Sequence, residues 1–112
     1  MSIPAIDLEH LARYTGGEKA LNAEILRLFD GQITDMVGQL QTILAARDVK
    51  RWREVAHTIK GAARGVGAFD MGEAAAKAEP VNPADRPAAL AALQKLEQEA
   101  QTVRAFIRQY LA

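Results

Sequence analysis

The chain has 112 residues, 49% hydrophobic and 25% charged, which is enough to bury one core and excludes a disordered tail. Its 14 basic and 14 acidic residues cancel and it has no cysteine; the first argues against a dedicated nucleic-acid binder, and the second excludes disulfides, thiol catalysis and Cys-based zinc sites. No apolar run approaches the roughly 20 residues of a bilayer span, and Met1 to Asp7 lacks the basic start and apolar core of a signal peptide, so the expected address is the cytoplasm, with no membrane partner.

Ala, Leu, Gln, Glu and Arg dominate, and no segment alternates as a strand would, which predicts helix throughout. Asp7 is the expected N-cap of a short helix over Leu8 to Tyr14, ended by Thr15-Gly16-Gly17. A second helix is predicted from Glu18 to Ala46, its apolar stripe formed by Leu21, Ile25, Leu28, Phe29, Ile33, Met36, Val37, Leu40, Ile43 and Leu44. Gly31 and Gly38 interrupt it, and a kink or break near Asp30-Gly31 is an expectation. Asp48 caps the third helix, with Trp52, Val55, Ala56, Ile59, Ala63 and Val66 on one face and Gly65 and Gly67 closing it. A fourth, Ala-rich helix covers Phe69 to Glu79. Pro80, Pro83 and Pro87 mark the connection that follows, and Asn82 before Pro83, or Asp85, can start the last helix, which carries Leu90, Leu93, Leu96, Ala100, Val103, Phe106, Ile107, Tyr110 and Leu111. The predicted fold is all-α: an antiparallel four-helix bundle, up-down-up-down, with the short first helix covering one end and residues 1–112 forming a single domain.

On a helical wheel, Trp52, Ala56, Ile59, Ala63 and Val66 fall within about 80°, and His57 lies roughly 140° from the centre of that arc. His57 is therefore expected in solvent, among Arg53, Lys60 and Arg64, with Gly61 one turn further along. A metal-binding histidine would want a second ligand three or four residues away; those positions hold Arg53, Glu54, Lys60 and Gly61. Cations suit an anion instead, such as a phosphoryl group on the ring. A glycine inside a helix costs about 1 kcal/mol against alanine, and at Gly61 its compensation would be the room it leaves for an approaching partner. A surface histidine with common basic neighbours is the plainer alternative. His10 is expected to be an ordinary surface residue.

A-H-T-I-K-G-A-A-R-G-V-G-A, Ala56 to Ala68, resembles the signature of histidine-containing phosphotransfer (Hpt) domains of bacterial two-component phosphorelays, and the likeness runs over about residues 7 to 80. L-R-L-F at Leu26 to Phe29, A-A-R-D at Ala45 to Asp48 and M-G-E-A-A-A-K-A-E at Met71 to Glu79 resemble other parts of the family. Met71 and Ala78 stand where the family more often has leucine, which touches packing and not chemistry. The resemblance implies a relay protein in which His57 is the phosphoacceptor, Lys60 helps stabilise the phosphoryl group and Gly61 leaves room for the receiver domain. Arg64 and Arg53 are added from the wheel as candidate phosphoryl or receiver contacts. The implied partners are response-regulator receiver domains and a hybrid or sensor histidine kinase. The implied Mg²⁺ sits on the receiver, so the chain itself is expected to need no cofactor or metal and to lack autonomous catalysis. A free-standing monomer is expected.

Two other readings compete. One is a helical interaction module without phosphotransfer, against which the intact His-x-x-Lys-Gly stands. The other is the dimerisation and phosphoacceptor domain of a histidine kinase, which typically has an acidic residue directly after its histidine; here Thr58 follows His57. The partner patch expected from the first two helices is Ile6, Leu11, Ile33 and Val37.

Overall fold

The computed structural model describes residues 4–112. Met1 to Ile3, part of the stretch read above as lacking a leader, lie outside the described residues. Five helices follow in order: α1 (Leu8–Thr15), α2 (Lys19–Ala46), α3 (Val49–Val66), α4 (Phe69–Ala78) and α5 (Arg86–Leu111). The described residues contain no strand.

Local capping chemistry sets most of the boundaries. The Asp7 carboxylate accepts from the backbone N–H groups of Glu9 and His10, Asp48 from that of Arg51, and Asp85 from that of Ala88, each satisfying donors that a helix start leaves open. Asp85, not Asn82, is therefore the cap of α5, and Arg86-Pro87 fills the first turn, where a missing N–H costs nothing. Gly67 ends α3 with φ +89°, and a Cβ there would lie 2.7 Å from the Asp7 carbonyl oxygen. The Asp7 N–H in turn donates to the Gly67 carbonyl at 2.9 Å. Glycine is needed here twice, for its left-handed conformation and for the close approach of the two backbones. Gly65, expected to share in closing α3, lies inside it.

α2 packs against α3 and α5, and α4 packs against the same two helices, so the four close a ring; α1 packs on α2 and α3. Inside lie Leu26, Phe29, Ile33, Leu40, Trp52, Ile59, Met71, Leu96, Val103 and Ile107. Burial of such side chains, about 1.5–3 kcal/mol each, is what drives the helices together. The face of α3 read from the wheel is buried throughout.

Several expectations fail. α2 is one continuous helix through Gly31 and Gly38, because its apolar face is held along its length by two neighbouring helices. Leu28 is 66% exposed and Leu26 is buried in its place; Leu28 is one residue, about 100° of rotation, from the buried Phe29. Ile6, Leu11, Ile33 and Val37, offered as a partner patch, are all core. Leu90, expected on the buried face of α5, is exposed. His10 is half-buried, its ring edge-on to Tyr14 and Phe69, and its Nε2 has no partner.

Candidate functional site

The fold brings α4 alongside α3, so the C-terminal end of α4 lies beside the middle of α3. Trp52 fixes that placement. Its ring is wholly buried, and its Nε1–H donates to the Ala78 carbonyl at 2.8 Å, satisfying one of the carbonyls a helix end leaves open. The next residue, Glu79, is thereby held over α3, one turn beyond Trp52.

Glu79 meets both residues singled out in the sequence. The His57 Nδ1 lies 2.8 Å from Glu79 Oε1, and the Lys60 ammonium donates to Oε2 at 2.7 Å. The His57 side chain is 66% exposed; those of Lys60 and Glu79 are 22% and 21% exposed. The hydrogen bond from Lys60 holds the Glu79 carboxyl below the ordinary glutamate range; partial burial opposes this, and the His57 hydrogen bond adds to it. Glu79 is therefore an ion at neutral pH and can only accept. In the neutral ring the hydrogen must sit on Nδ1, which leaves the Nε2 lone pair as the free nucleophile. Nε2 makes no hydrogen bond to the protein among the described residues.

Gly61, one turn on, is exposed, and a Cβ added there would meet nothing within 4 Å. Nothing inside the protein demands a glycine at this position. Arg53 is exposed and makes no ion pair among the described residues. Arg64 lies along the α4 side of α3, its stem against the buried Gly72. Glu54, the one acidic neighbour in sequence, pairs with Arg51 at 3.8 Å.

The structure thus brings His57 and Lys60 together, but through a carboxylate that wheel reasoning could not supply. The expected purely cationic surround is corrected: Lys60 is tied to an anion contributed by α4. Glu79 lies 22 positions along the chain from His57, so local periodicity has no access to it. No cluster of three His, Cys, Asp or Glu residues that could hold a metal occurs among the described residues, and none of the described helices is long and apolar enough to cross a membrane.

An exposed histidine with one nitrogen fixed by a carboxylate, a lysine on that carboxylate and a bare helix turn beside it is the arrangement to set against known families. The Hpt domain family model matches residues 24–106, more than half of the chain. The chain belongs to the Hpt domain family. Hpt domains are phosphotransfer modules of phosphorelays, without catalytic activity of their own, and they interact with kinases and receiver domains. Nothing among the curated proteins or the solved structures compared matches the chain. Within this Hpt domain, the match begins in the second turn of α2 and ends near the C-terminal end of α5, so it takes in α3, α4 and the whole His57–Lys60–Glu79 cluster.

Proposed function

We propose that this Hpt domain relays a phosphoryl group between receiver aspartates through phosphohistidine at His57 Nε2. One observation carries the reading: the Nδ1 contact to the Glu79 carboxylate, which leaves Nε2 unprotonated and facing solvent. The step then balances without a general base. The Nε2 lone pair attacks phosphorus, the N–P bond forms, the acyl-phosphate P–O bond breaks, and the receiver's aspartate leaves as a carboxylate. The hydrogen stays on Nδ1, and Glu79 neutralises the positive ring. In the second transfer an aspartate oxygen attacks phosphorus and the N–P electrons return to Nε2.

Transfer of this kind depends on in-line positioning and charge stabilisation. Lys60, anchored by Glu79 next to the ring, stabilises the phosphoryl oxygens, and Gly61 lets the receiver approach. Arg53 remains a candidate receiver contact on its exposure alone. The Mg²⁺ of the reaction belongs to the receiver's carboxylates. The reading includes one domain over residues 1–112, a cytoplasmic monomer of bacterial type, and no nucleic-acid or membrane partner.

It also includes the antiparallel bundle. Support comes from the order of the bridging pairs. Along α2 and α5 they are Asn22 with Tyr110, Asp30 with Arg104 and Gln41 with Glu97. Along α3 and α4 His57 meets Glu79 and Arg64 meets Gly72. Rising numbers on one helix pair with falling numbers on the other, as short connections between neighbours require.

The test is to incubate the protein with a phosphorylated receiver domain and assay for acid-labile, base-stable phosphate. Wild type is expected to take up label, and His57→Gln none. Label that survives His57→Gln sinks the relay reading.

A further inference from the structure

Arg64 shares the His57 edge of α3 but is built in differently from Lys60. Lys60 is paired with Glu79. Arg64 has no carboxylate within ion-pair distance among the described residues. Its stem is nonetheless held. Gly72 of α4 is buried, and a Cβ there would come to 3.0 Å from Arg64 Cγ and 3.7 Å from Nε. The missing side chain at Gly72 is thus the space in which the Arg64 stem lies. A long side chain packed along its stem with a free charged head has already lost part of its rotamer freedom, so binding an anion costs it less than it would cost a freely moving surface arginine.

Position adds to this. Seven residues bring Arg64 back to within about 20° of His57 around α3, some 10.5 Å further along the axis. Helical side chains lean toward the N-terminus, here toward His57. A partner that covers a patch of about 800 Å² centred on His57 also covers Arg64. That axial distance, with the stem held on α4, favours a contact of the guanidinium beside the phosphoryl position over one on it.

We propose that Arg64 is a receiver-contacting specificity residue: its guanidinium pairs with a carboxylate at the rim of the receiver's aspartyl-phosphate site, and Gly72 keeps its stem aligned for that contact. The proposal rests on the relay reading. Glu79 belongs to the chemistry at the ring, whereas Arg64 belongs to the recognition of the protein that delivers or takes the phosphoryl group. Arg–carboxylate pairs at an interface rim act mainly on association, and salt weakens them.

The test charges receiver domains encoded in the same genome with acetyl phosphate and uses the one that transfers fastest to wild type. Arg64→Ala is expected to slow transfer about tenfold at low salt and sub-saturating receiver, with the deficit shrinking toward twofold near 1 M salt, where the Debye length is about 3 Å. Arg64→Lys should recover part of the loss, and the lifetime of isolated phosphohistidine should not change. Gly72→Ala should fold with an undiminished thermal midpoint, since alanine is the better helix former and a flexible stem can shift aside. It should slow transfer about threefold in wild type and not at all in the Arg64→Ala background. Arg64→Ala transferring as fast as wild type overturns the proposal while leaving the relay reading intact. Equal slowing by Gly72→Ala in both backgrounds also overturns it. A changed phosphohistidine lifetime in Arg64→Ala would reassign Arg64 to the phosphoryl group. Absence of label on wild type from every receiver takes down both readings.

Discussion

Two seams of the bundle are bridged by polar side chains, and they use them differently. Between α2 and α5 the groups pair one to one: Asp30 with Arg104 at 2.9 Å, Gln41 with Glu97 at 2.8 Å and the Asn22 amide with the Tyr110 hydroxyl at 3.2 Å. Each charge there is answered locally. Between α3 and α4 a single carboxylate, Glu79, serves two donors, and the same edge keeps an imidazole nitrogen and a guanidinium with no partner among the described residues. The first seam closes its accounts within the protein. The second leaves reactive and charged groups facing outward, over a turn that has no side chain at Gly61. Interhelical polar contacts of similar length thus hold the fold together in one place and, on the proposed relay reading, prepare a nucleophile in the other.

Three changes separate the two seams. The largest effect is expected at Glu79. Glu79→Ala removes the acceptor that fixes the His57 tautomer and releases Lys60, so label uptake from a phosphorylated receiver should fall about tenfold, the upper end of what one net hydrogen bond is worth. Glu79→Gln keeps an acceptor for Nδ1–H and should lose less. Equal losses in the two variants would show that the charge of Glu79, and not its acceptor, is what matters.

A smaller effect is expected at Arg104, in the other seam. The Asp30–Arg104 pair is partly exposed, and such pairs contribute about 0.2–1 kcal/mol. Arg104→Ala should lower the unfolding free energy from urea titration by that much and leave phosphotransfer unchanged. A clear loss of transfer would mean that the two seams are not separate in function.

The smallest effect concerns pH. The folded-state value of Glu79 is depressed, chiefly by Lys60, so its stabilising contribution is fully present above the ordinary glutamate value of about 4.3. That contribution is lost as pH falls through the lowered value. Urea midpoints of wild type and Glu79→Gln, followed downward from pH 6, should draw together once pH falls below the ordinary glutamate value of about 4.3. Curves that instead diverge on acidification would reverse the sign of the assignment.

Much of α3 is legible in its own sequence. Asp48 begins it, Gly67 ends it, and the positions of Trp52, Ala56, Ile59 and Ala63 place His57 in solvent with Gly61 beside it. A strong apolar stripe on one helix predicts burial well because the rotation between residues is constant. The same rule fails on α2, which carries more apolar residues than one face can hold. Leu28 and Leu26 are both good candidates for the core, and only the neighbours on either side decide that Leu26 goes in. The patch offered on Ile6, Leu11, Ile33 and Val37 failed for a related reason: an apolar residue looks the same in sequence whether it awaits a partner or already has one within the chain.

The helices, the caps of α1 and α3, the exposed histidine and the family are readable from the chain alone, because they depend on groups a few residues apart and on a fixed helical period. Only the tertiary structure decided the chemistry at the ring. Glu79 reaches His57 and Lys60 because the Trp52 indole holds the end of α4 against α3, and Arg64 is aligned because Gly72 leaves room for its stem. Both depend on how closely two helices pack, a quantity set by the whole core and written in no single stretch of the chain.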